Sequence, residues 1–367
     1  MTARQRIDLL ALAYPRVFPR APLLRLVREQ LGDVDALEQW IVRNGVRVRA
    51  RAPRLICHIC AGNLAVSAIT SIAHGLILGA RNLVKLPGDR HDSSVRREII
   101  GFVRGLPEPL RRLITTSRTL DEKLLRFGLA DAVVAFGTDE TMRNLKHKIS
   151  QLIRFIPHGP AVSLLWIGEP ERLTTAQARA CAIDVLTYDQ LGCLSPQAIY
   201  VPPGTDIVAL GGTLSRALES HWRGLKQKPA RPLGVAARID EARDVACARG
   251  HRVWLPPSRH LGWTLIYDPD PAFQPSPLHG VIILRRAGES TLRKALASVD
   301  GRISTVGIVG GWSRERMSSR LERVFLSLGV SRFCPAGRMQ FPPLTWHHDG
   351  RKTLADLVTW IDAEDRE

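Results

Sequence analysis

Apolar and polar positions divide the chain into a helical opening and two β/α series. Within residues 1–50 the cluster Leu23, Leu24, Leu26 and Val27 reads as helix, and Asp33–Trp40, opened by an acidic first turn, reads as a second short one. From about Arg54 apolar runs alternate with amphipathic stretches. The pattern predicts strand Leu55–Ala61, helix Leu64–Leu78, strand Asn82–Leu86, helix Ser94–Leu106, strand Ala130–Phe136 and helix Glu140–Ile149. Strands that are almost purely apolar between such helices belong to a parallel sheet covered on both faces. Sheets of that kind take ligands beyond the carboxyl ends of their strands.

A second series follows. It predicts helix Thr175–Tyr188, strand Gln197–Val201, helices Val208–Leu225 and Val235–Arg249, and strands Arg252–Leu255 and Gly280–Arg285. Helix Thr291–Ala297, strand Ser304–Val309 and helix Arg314–Leu328 complete it, and the tail Leu354–Ile361 reads as a short amphipathic helix. Pro202-Pro203-Gly204 and Pro256-Pro257 punctuate the series.

A chain of 367 residues suits two domains better than one core. The longest apolar stretch, Leu64–Ala80, is broken by Ser67, Thr70, Ser71, His74 and Gly75, which fits a buried helix and not a membrane span. No signal peptide is visible, so a cytoplasmic protein is expected. The six cysteines have no disulfide-framework spacing, and reduced thiols follow.

The net charge is +17, and all but eight of the 52 basic residues are Arg. Such charge favours anionic partners. The arginines are scattered and no nucleic-acid-binding motif accompanies them, which argues against nucleic acid. Phosphorylated cofactors, coenzyme A and an acidic acyl carrier protein remain, beside a plain solvated surface.

Several residues could carry chemistry. Cys193, in Gly192-Cys193-Leu194-Ser195-Pro196 between a helix and a strand, is either an exposed nucleophile in a turn or a small buried apolar residue. Asn63 follows a strand and precedes a helix, where its amide can donate to an oxyanion or cap the helix. Lys85, at a strand end, can reach a cofactor ribose or phosphate or can snorkel into solvent. Gly137 and Thr138 form a βα turn that is a phosphate site or an ordinary cap. His158, in Pro157-His158-Gly159-Pro160, is an acid–base candidate or a turn histidine. Cys57 and Cys60 form a C-x-x-C inside a strand, where they point to opposite faces, so a structural role is expected. His347 and His348, in Trp346-His347-His348-Asp349-Gly350, are ligand types without an evident third ligand; no metal is expected.

Four stretches taken in order resemble the LuxC-type acyl-CoA reductases, which belong to the aldehyde-dehydrogenase-like superfamily. They are His58–Pro87, Ala130–Asn144, Tyr188–Gln197 (Tyr-Asp-Gln-Leu-Gly-Cys-Leu-Ser-Pro-Gln) and Phe333–Asp362. The last contains Cys-Pro-Ala-Gly-Arg-Met-Gln and Pro-Pro-Leu-Thr-Trp-His-His-Asp-Gly-Arg. The resemblance covers about Val46 to the C-terminus of a chain shorter than typical members.

It implies an aldehyde-dehydrogenase-like α/β fold: two domains with parallel sheets and the active site in the cleft between them. Residues 1–157 would be the nucleotide-binding domain, 158–335 the catalytic domain, and 336–367 a segment returning to the first. It assigns Cys193 as nucleophile, Asn63 as the oxyanion amide, Lys85 to the adenosine ribose or its 2′-phosphate, and Gly137 and Thr138 to the cofactor turn. The superfamily's deacylating glutamate is replaced by Pro157-His158-Gly159-Pro160, which favours reduction over hydrolysis and leaves His158 for proton transfer. Gly88 stands where NAD-preferring relatives often carry Glu, and this favours NADPH. The expected activity is NADPH-dependent reduction of an acyl thioester, on coenzyme A or an acyl carrier protein, to the aldehyde; the alternatives are an aldehyde dehydrogenase or a reductase of another activated acyl group and, more distantly, a non-catalytic basic protein that binds nucleic acid or a carrier protein. Acyl-transfer or acyl-activating partner subunits and a homo-oligomer are further implied partners.

Overall fold

A computed structural model describes residues 1–88, 93–310 and 318–364. The chain divides into two compact units, residues 1–160 with 343–367 and residues 161–342. The sequence reading set the boundaries at 157/158 and 335/336.

The first unit opens with helices α1 (Ala3–Ala13) and α2 (Arg20–Leu31), then strands β1 (Ile41–Arg43) and β2 (Val46–Arg51). Asp33–Trp40 is turn, not the expected helix: Asp33 spends its carboxylate on the Asp35 N–H at 2.8 Å, an Asx-type turn. The parallel series follows: β3 (Leu55–Ile59), α3 (Ala65–Leu78), β4 (Arg81–Lys85), α4 (Ser93–Gly105), α5 (Glu108–Arg111) and β5 (Ile114–Ser117). It closes with α6 (Glu122–Arg126), β6 (Ala132–Phe136), α7 (Asp139–Lys148) and β7 (Arg154–His158). The strand order is β5-β4-β3-β6-β7, parallel throughout.

Alternation along β3 explains how this sheet is buried twice. Ile56 belongs to the core beneath α1 to α4, whereas Cys57 and Ile59 belong to the core that holds Leu125 and Met142. Cys60 returns to the first core, so the two thiols do face opposite sides. Burial pushes the Cys57 thiol up to about 11 and the Cys60 thiol up to about 12, which makes them inert packing residues. His58 crosses the first core fully buried, with Nδ1 at 2.8 Å from Ser71 Oγ and Nε2 at 2.9 Å from Asn82 Oδ1.

The second unit holds β8 (Val162–Trp166), α8 (Thr175–Leu186), β9 (Pro196–Val201), α9 (Ile207–Gly224), α10 (Leu233–Ala248), β10 (Arg252–Trp254) and β11 (Thr264–Tyr267). Then come β12 (Val281–Arg286), α11 (Glu289–Ala295), β13 (Ile303–Ile308), α12 (Ser319–Ser327) and β14 (Arg332–Pro335). The seven strands run β10-β11-β12-β9-β8-β13-β14, with only β10 antiparallel. The expected helix from Arg314 is α12 from Ser319 onward; residues 311–317 lie outside the described residues.

The chain then returns to the first unit. Leu354–Ile361 is not a helix. Residues 353–357 are turn, held where Gln30 Oε1 accepts the Leu354 N–H at 2.6 Å, and Thr359–Ala363 is a strand, β15. It pairs antiparallel with β2 in a three-stranded sheet, β1-β2-β15, whose open edge decides against helix. No helix among the described residues is long and apolar enough to cross a membrane.

Candidate active site

Cys193 lies in the second unit, between α8 and β9, and it is half-buried. Cys247 is exposed and the other four thiols are buried. Before Cys193 the backbone is forced into a rare course. Tyr188, Asp189 and Gln190 have φ of 56°, 53° and 62°, a run of left-handed residues that side chains ordinarily avoid.

Side chains hold this turn in place. Asp189 takes a two-pronged ion pair from Arg231 at 2.8 and 2.9 Å and a contact from His279 Nδ1 at 2.5 Å. Gln190, fully buried, donates through Nε2 to the carbonyls of Pro196 and Val281 at 2.8 and 3.0 Å. Its Oε1 accepts the Gly280 N–H at 2.9 Å. The receiving segment is itself left-handed, with φ of 68°, 56° and 84° at Leu278, His279 and Gly280. Gly280 is required: a Cβ there would sit 2.5 Å from the Gly262 carbonyl. The carbonyl of Cys193 accepts from Ser163 Oγ at 2.7 Å, which ties the Cys193 peptide to β8.

The Cys-Pro-Ala-Gly-Arg-Met-Gln stretch buttresses the same loop. Asp184, fully buried on α8, accepts the N–H groups of Gly337 at 2.5 Å and Met339 at 3.0 Å. Burial outweighs these donors and raises the Asp184 carboxyl to about 7. Gln340 donates to Ser195 Oγ at 2.9 Å, two residues from Cys193.

Asn63, Lys85, Gly137, Thr138 and His158 all lie in the first unit, at the carboxyl ends of its strands. Asn63 is exposed; Leu64 and not Asn63 holds the N-cap position of α3, without a side-chain cap. The Lys85 carbonyl accepts the Cys60 N–H at 3.1 Å, so the β3 and β4 ends lie side by side. Thr138 caps α7, accepting the Thr141 N–H at 3.3 Å. Asp139 and Glu140 in the first turn of α7 oppose an anion at that helix end. The Gly137 N–H donates to the His158 carbonyl at 3.2 Å, joining two of the expected site residues.

Sequence reasoning missed the partner of His158. Its Nδ1 lies 2.7 Å from Asp349 Oδ2, although the two are 191 positions apart. The ring, 8% exposed, stacks on Phe136 at 4.7 Å and on His348 at 4.3 Å, and His348 stacks on Trp346 at 4.8 Å. Trp346-His347-His348-Asp349-Gly350 was the visible signal; that His158 completes it was not readable from spacing. His347 is exposed.

A family model, acyl-CoA reductase (LuxC), matches residues 2–360. The chain belongs to the LuxC acyl-CoA reductase family. Its activity is therefore that of an acyl reductase. The long-chain acyl-protein thioester reductase of Aliivibrio fischeri is 22% identical over 354 residues, 94% of this chain and 71% of that one. The namesake from Vibrio harveyi is 28% identical over 190 residues, 49% of this chain and 39% of that one.

Solved structures agree on the aldehyde-dehydrogenase fold. A putative methylmalonate-semialdehyde dehydrogenase from Sinorhizobium meliloti, complexed with NAD, aligns with a TM-score of 0.69 at 11% identity, covering 100% of this chain and 87% of that one. An NADP-dependent glyceraldehyde-3-phosphate dehydrogenase from Bacillus halodurans, complexed with NADP, aligns at 0.68 and 15% identity, covering 99% and 87%.

Proposed function

We propose that this LuxC-family protein reduces an acyl thioester to the aldehyde through an acyl-enzyme on Cys193, with NADPH as the reductant. The observation that carries the reading is the setting of Cys193. It is half-buried, and its loop is fixed by Asp189, Gln190 and Ser163 instead of being left mobile. A nucleophile on a fixed loop reaches its attack geometry without an ordering cost. Thiol attack on a thioester exchanges one C–S bond for another, so the acyl group moves to Cys193 with little change in bond energy.

The residues of the first unit fit a phosphorylated dinucleotide. Lys85 stands at the carboxyl end of a parallel strand, three residues before Gly88. Among the described residues a Cβ on Gly88 would meet nothing within 4 Å, which is consistent with room for a 2′-phosphate at the end of the strand that carries Lys85. Gly137 and Thr138 form the turn against which the cofactor lies, through backbone contact, since the acidic start of α7 disfavours phosphate there. The bound dinucleotide supplies the hydride. Asn63 donates to the oxyanion that forms at the acyl carbon, and His158 handles the protons. No carboxylate stands in Pro157-His158-Gly159-Pro160 to activate water, which preserves the acyl-enzyme for reduction.

Two relatives are named long-chain acyl-protein thioester reductases, which supports a long acyl chain and a protein-borne donor here too. The test is NADPH oxidation with long-chain acyl-CoA and with acyl carrier protein, with the product analysed as aldehyde. Aldehyde from either donor supports the reading, and the better donor identifies the carrier. Absence of turnover with both contradicts it.

A further inference from the structure

Three cationic residues of the first unit stand where β4 ends. Lys85 is the last residue of β4 and pairs with Ser117, the last residue of β5. The Leu86 N–H donates to the Ser117 carbonyl at 2.8 Å, so the two strands leave the sheet side by side. Arg118 follows Ser117 directly. Ser117 Oγ accepts the Thr119 N–H at 3.2 Å, a turn that keeps exposed Arg118 at this edge. Arg96 arrives on α4, the helix that follows β4. Half-buried, it donates through Nη1 to the Pro87 carbonyl at 3.4 Å, one residue before Gly88. Asp89 and Asp92, the next carboxylates along the chain, lie outside the described residues.

The start of α4 suits an anion. It has no acidic residue in its first turn, and Arg96 is its fourth residue. The N-terminal end of a helix already carries partial positive charge, so a guanidinium there is unfavourable unless an anion accompanies it. α7 is built the opposite way, with Asp139 and Glu140 in its first turn. Of the two, α4 is the helix start that fits phosphate. A phosphomonoester carries close to two negative charges at neutral pH. Arginine's planar fork takes two of its oxygens at once, and lysine adds a point charge. Two ligands of the proposed reaction bear such a group on an adenosine ribose: NADPH at the 2′ position and coenzyme A at the 3′ position. A site beyond the carboxyl end of a parallel strand favours the dinucleotide.

We propose that Arg96 is a specificity-determining residue for NADPH, gripping the 2′-phosphate together with Lys85, with Arg118 adding charge at the rim. This rests on the NADPH reading above. An ammonium at Lys85 can serve a ribose hydroxyl or a phosphate and so separates the two cofactors poorly. A guanidinium held beside Gly88 makes the separation, because it meets a dianion in NADPH and only a neutral hydroxyl in NADH. The Pro87 carbonyl holds that guanidinium in place before the ligand arrives, so little ordering cost falls on binding.

The experiment is calorimetric binding of 2′,5′-ADP, 3′,5′-ADP and 5′-AMP to the whole protein, probes that carry neither nicotinamide nor acyl group. Wild type is compared with Arg96→Gln, Arg96→Lys and Arg118→Gln, each checked for an unchanged melting profile. We expect wild type to prefer 2′,5′-ADP over 5′-AMP about 100-fold. Arg96→Gln should lose about tenfold or more of the affinity for 2′,5′-ADP and keep that for 5′-AMP, and Arg96→Lys should recover part of the loss. Arg118→Gln should lose a few-fold, an effect that fades at high salt. Arg96→Gln binding 2′,5′-ADP as wild type does overturns the proposal, and so does an equal loss for 5′-AMP, which marks a structural role. Tighter binding of 3′,5′-ADP with the same dependence on Arg96 gives the cluster to coenzyme A and overturns it too. Wild type without preference for 2′,5′-ADP over 5′-AMP overturns the NADPH reading itself and this proposal with it.

Discussion

Gln190 Oε1 holds the Gly280 N–H at 2.9 Å and so clamps two left-handed segments, 188–190 and 278–280, ninety residues apart in sequence. The amide that does this is fully buried. Gln190→Leu leaves the Gly280 donor unpaired in the core, a loss of about 1–3 kcal/mol. For a domain of this size that lowers Tm by roughly 2–4 °C per kcal/mol. Calorimetry checks the stability, and acylation kinetics check that Cys193 is presented less well. A variant as stable and as reactive as wild type contradicts the clamp.

Buried histidines set the acid limit. His58 is depressed to about 4, His74 to about 3 and His348 to about 4, in each case mainly by burial. The unfolded chain takes up these protons near 6.5, the folded chain only far below. Their contribution is therefore complete above about pH 7 and is lost as pH falls toward 4, on the order of 1 kcal/mol per pH unit for each histidine. Asp184 acts in the opposite sense. Raised to about 7, it binds its proton more tightly when folded, so its contribution is present at about pH 4 and is lost as pH rises through 7. Urea unfolding between pH 4 and 8 should show a steep acid loss that becomes steeper still in Asp184→Asn. An equal or shallower slope in that variant contradicts the Asp184 assignment.

Thiol accessibility separates the cysteines. A maleimide applied to the native protein should label Cys247 and Cys193 and spare Cys57, Cys60, Cys181 and Cys334. Burial raises all four of these last thiols, Cys57 and Cys334 to about 11. Peptide mapping reads the outcome. Labelling of Cys181 before Cys193 contradicts the arrangement of the loop.

On the proposed reading, the choice of cofactor turns on Gly88. Gly88→Glu places a carboxylate three residues after Lys85, should repel a 2′-phosphate and raise the KM for NADPH about tenfold or more while sparing NADH. Steady-state kinetics with both cofactors decide it. Equal effects on the two would remove Gly88 from the recognition of the phosphate.

Much of this was legible in the chain, and the failures have causes. Apolar runs such as Ala132–Phe136 revealed the parallel sheets, because strands buried on both faces leave no other pattern. The strand Arg154–His158 has no counterpart among the expected elements; its Pro157 is tolerated because β7 is an edge strand. The tail misread as a helix becomes a strand because β2 offers it an edge. Cys193 and His158 could be picked out as residues. Their supports, Gln190 to Gly280 and His158 to Asp349, join segments 90 and 191 positions apart, and spacing carries no trace of such pairs.

The central claim is an acyl group carried on Cys193. Incubation with palmitoyl-CoA alone, followed by peptide mass analysis, should find a thioester on Cys193 that is absent in Cys193→Ala and discharges as hexadecanal when NADPH is added. An adduct that releases only free acid, or turnover that survives in Cys193→Ala, contradicts the account.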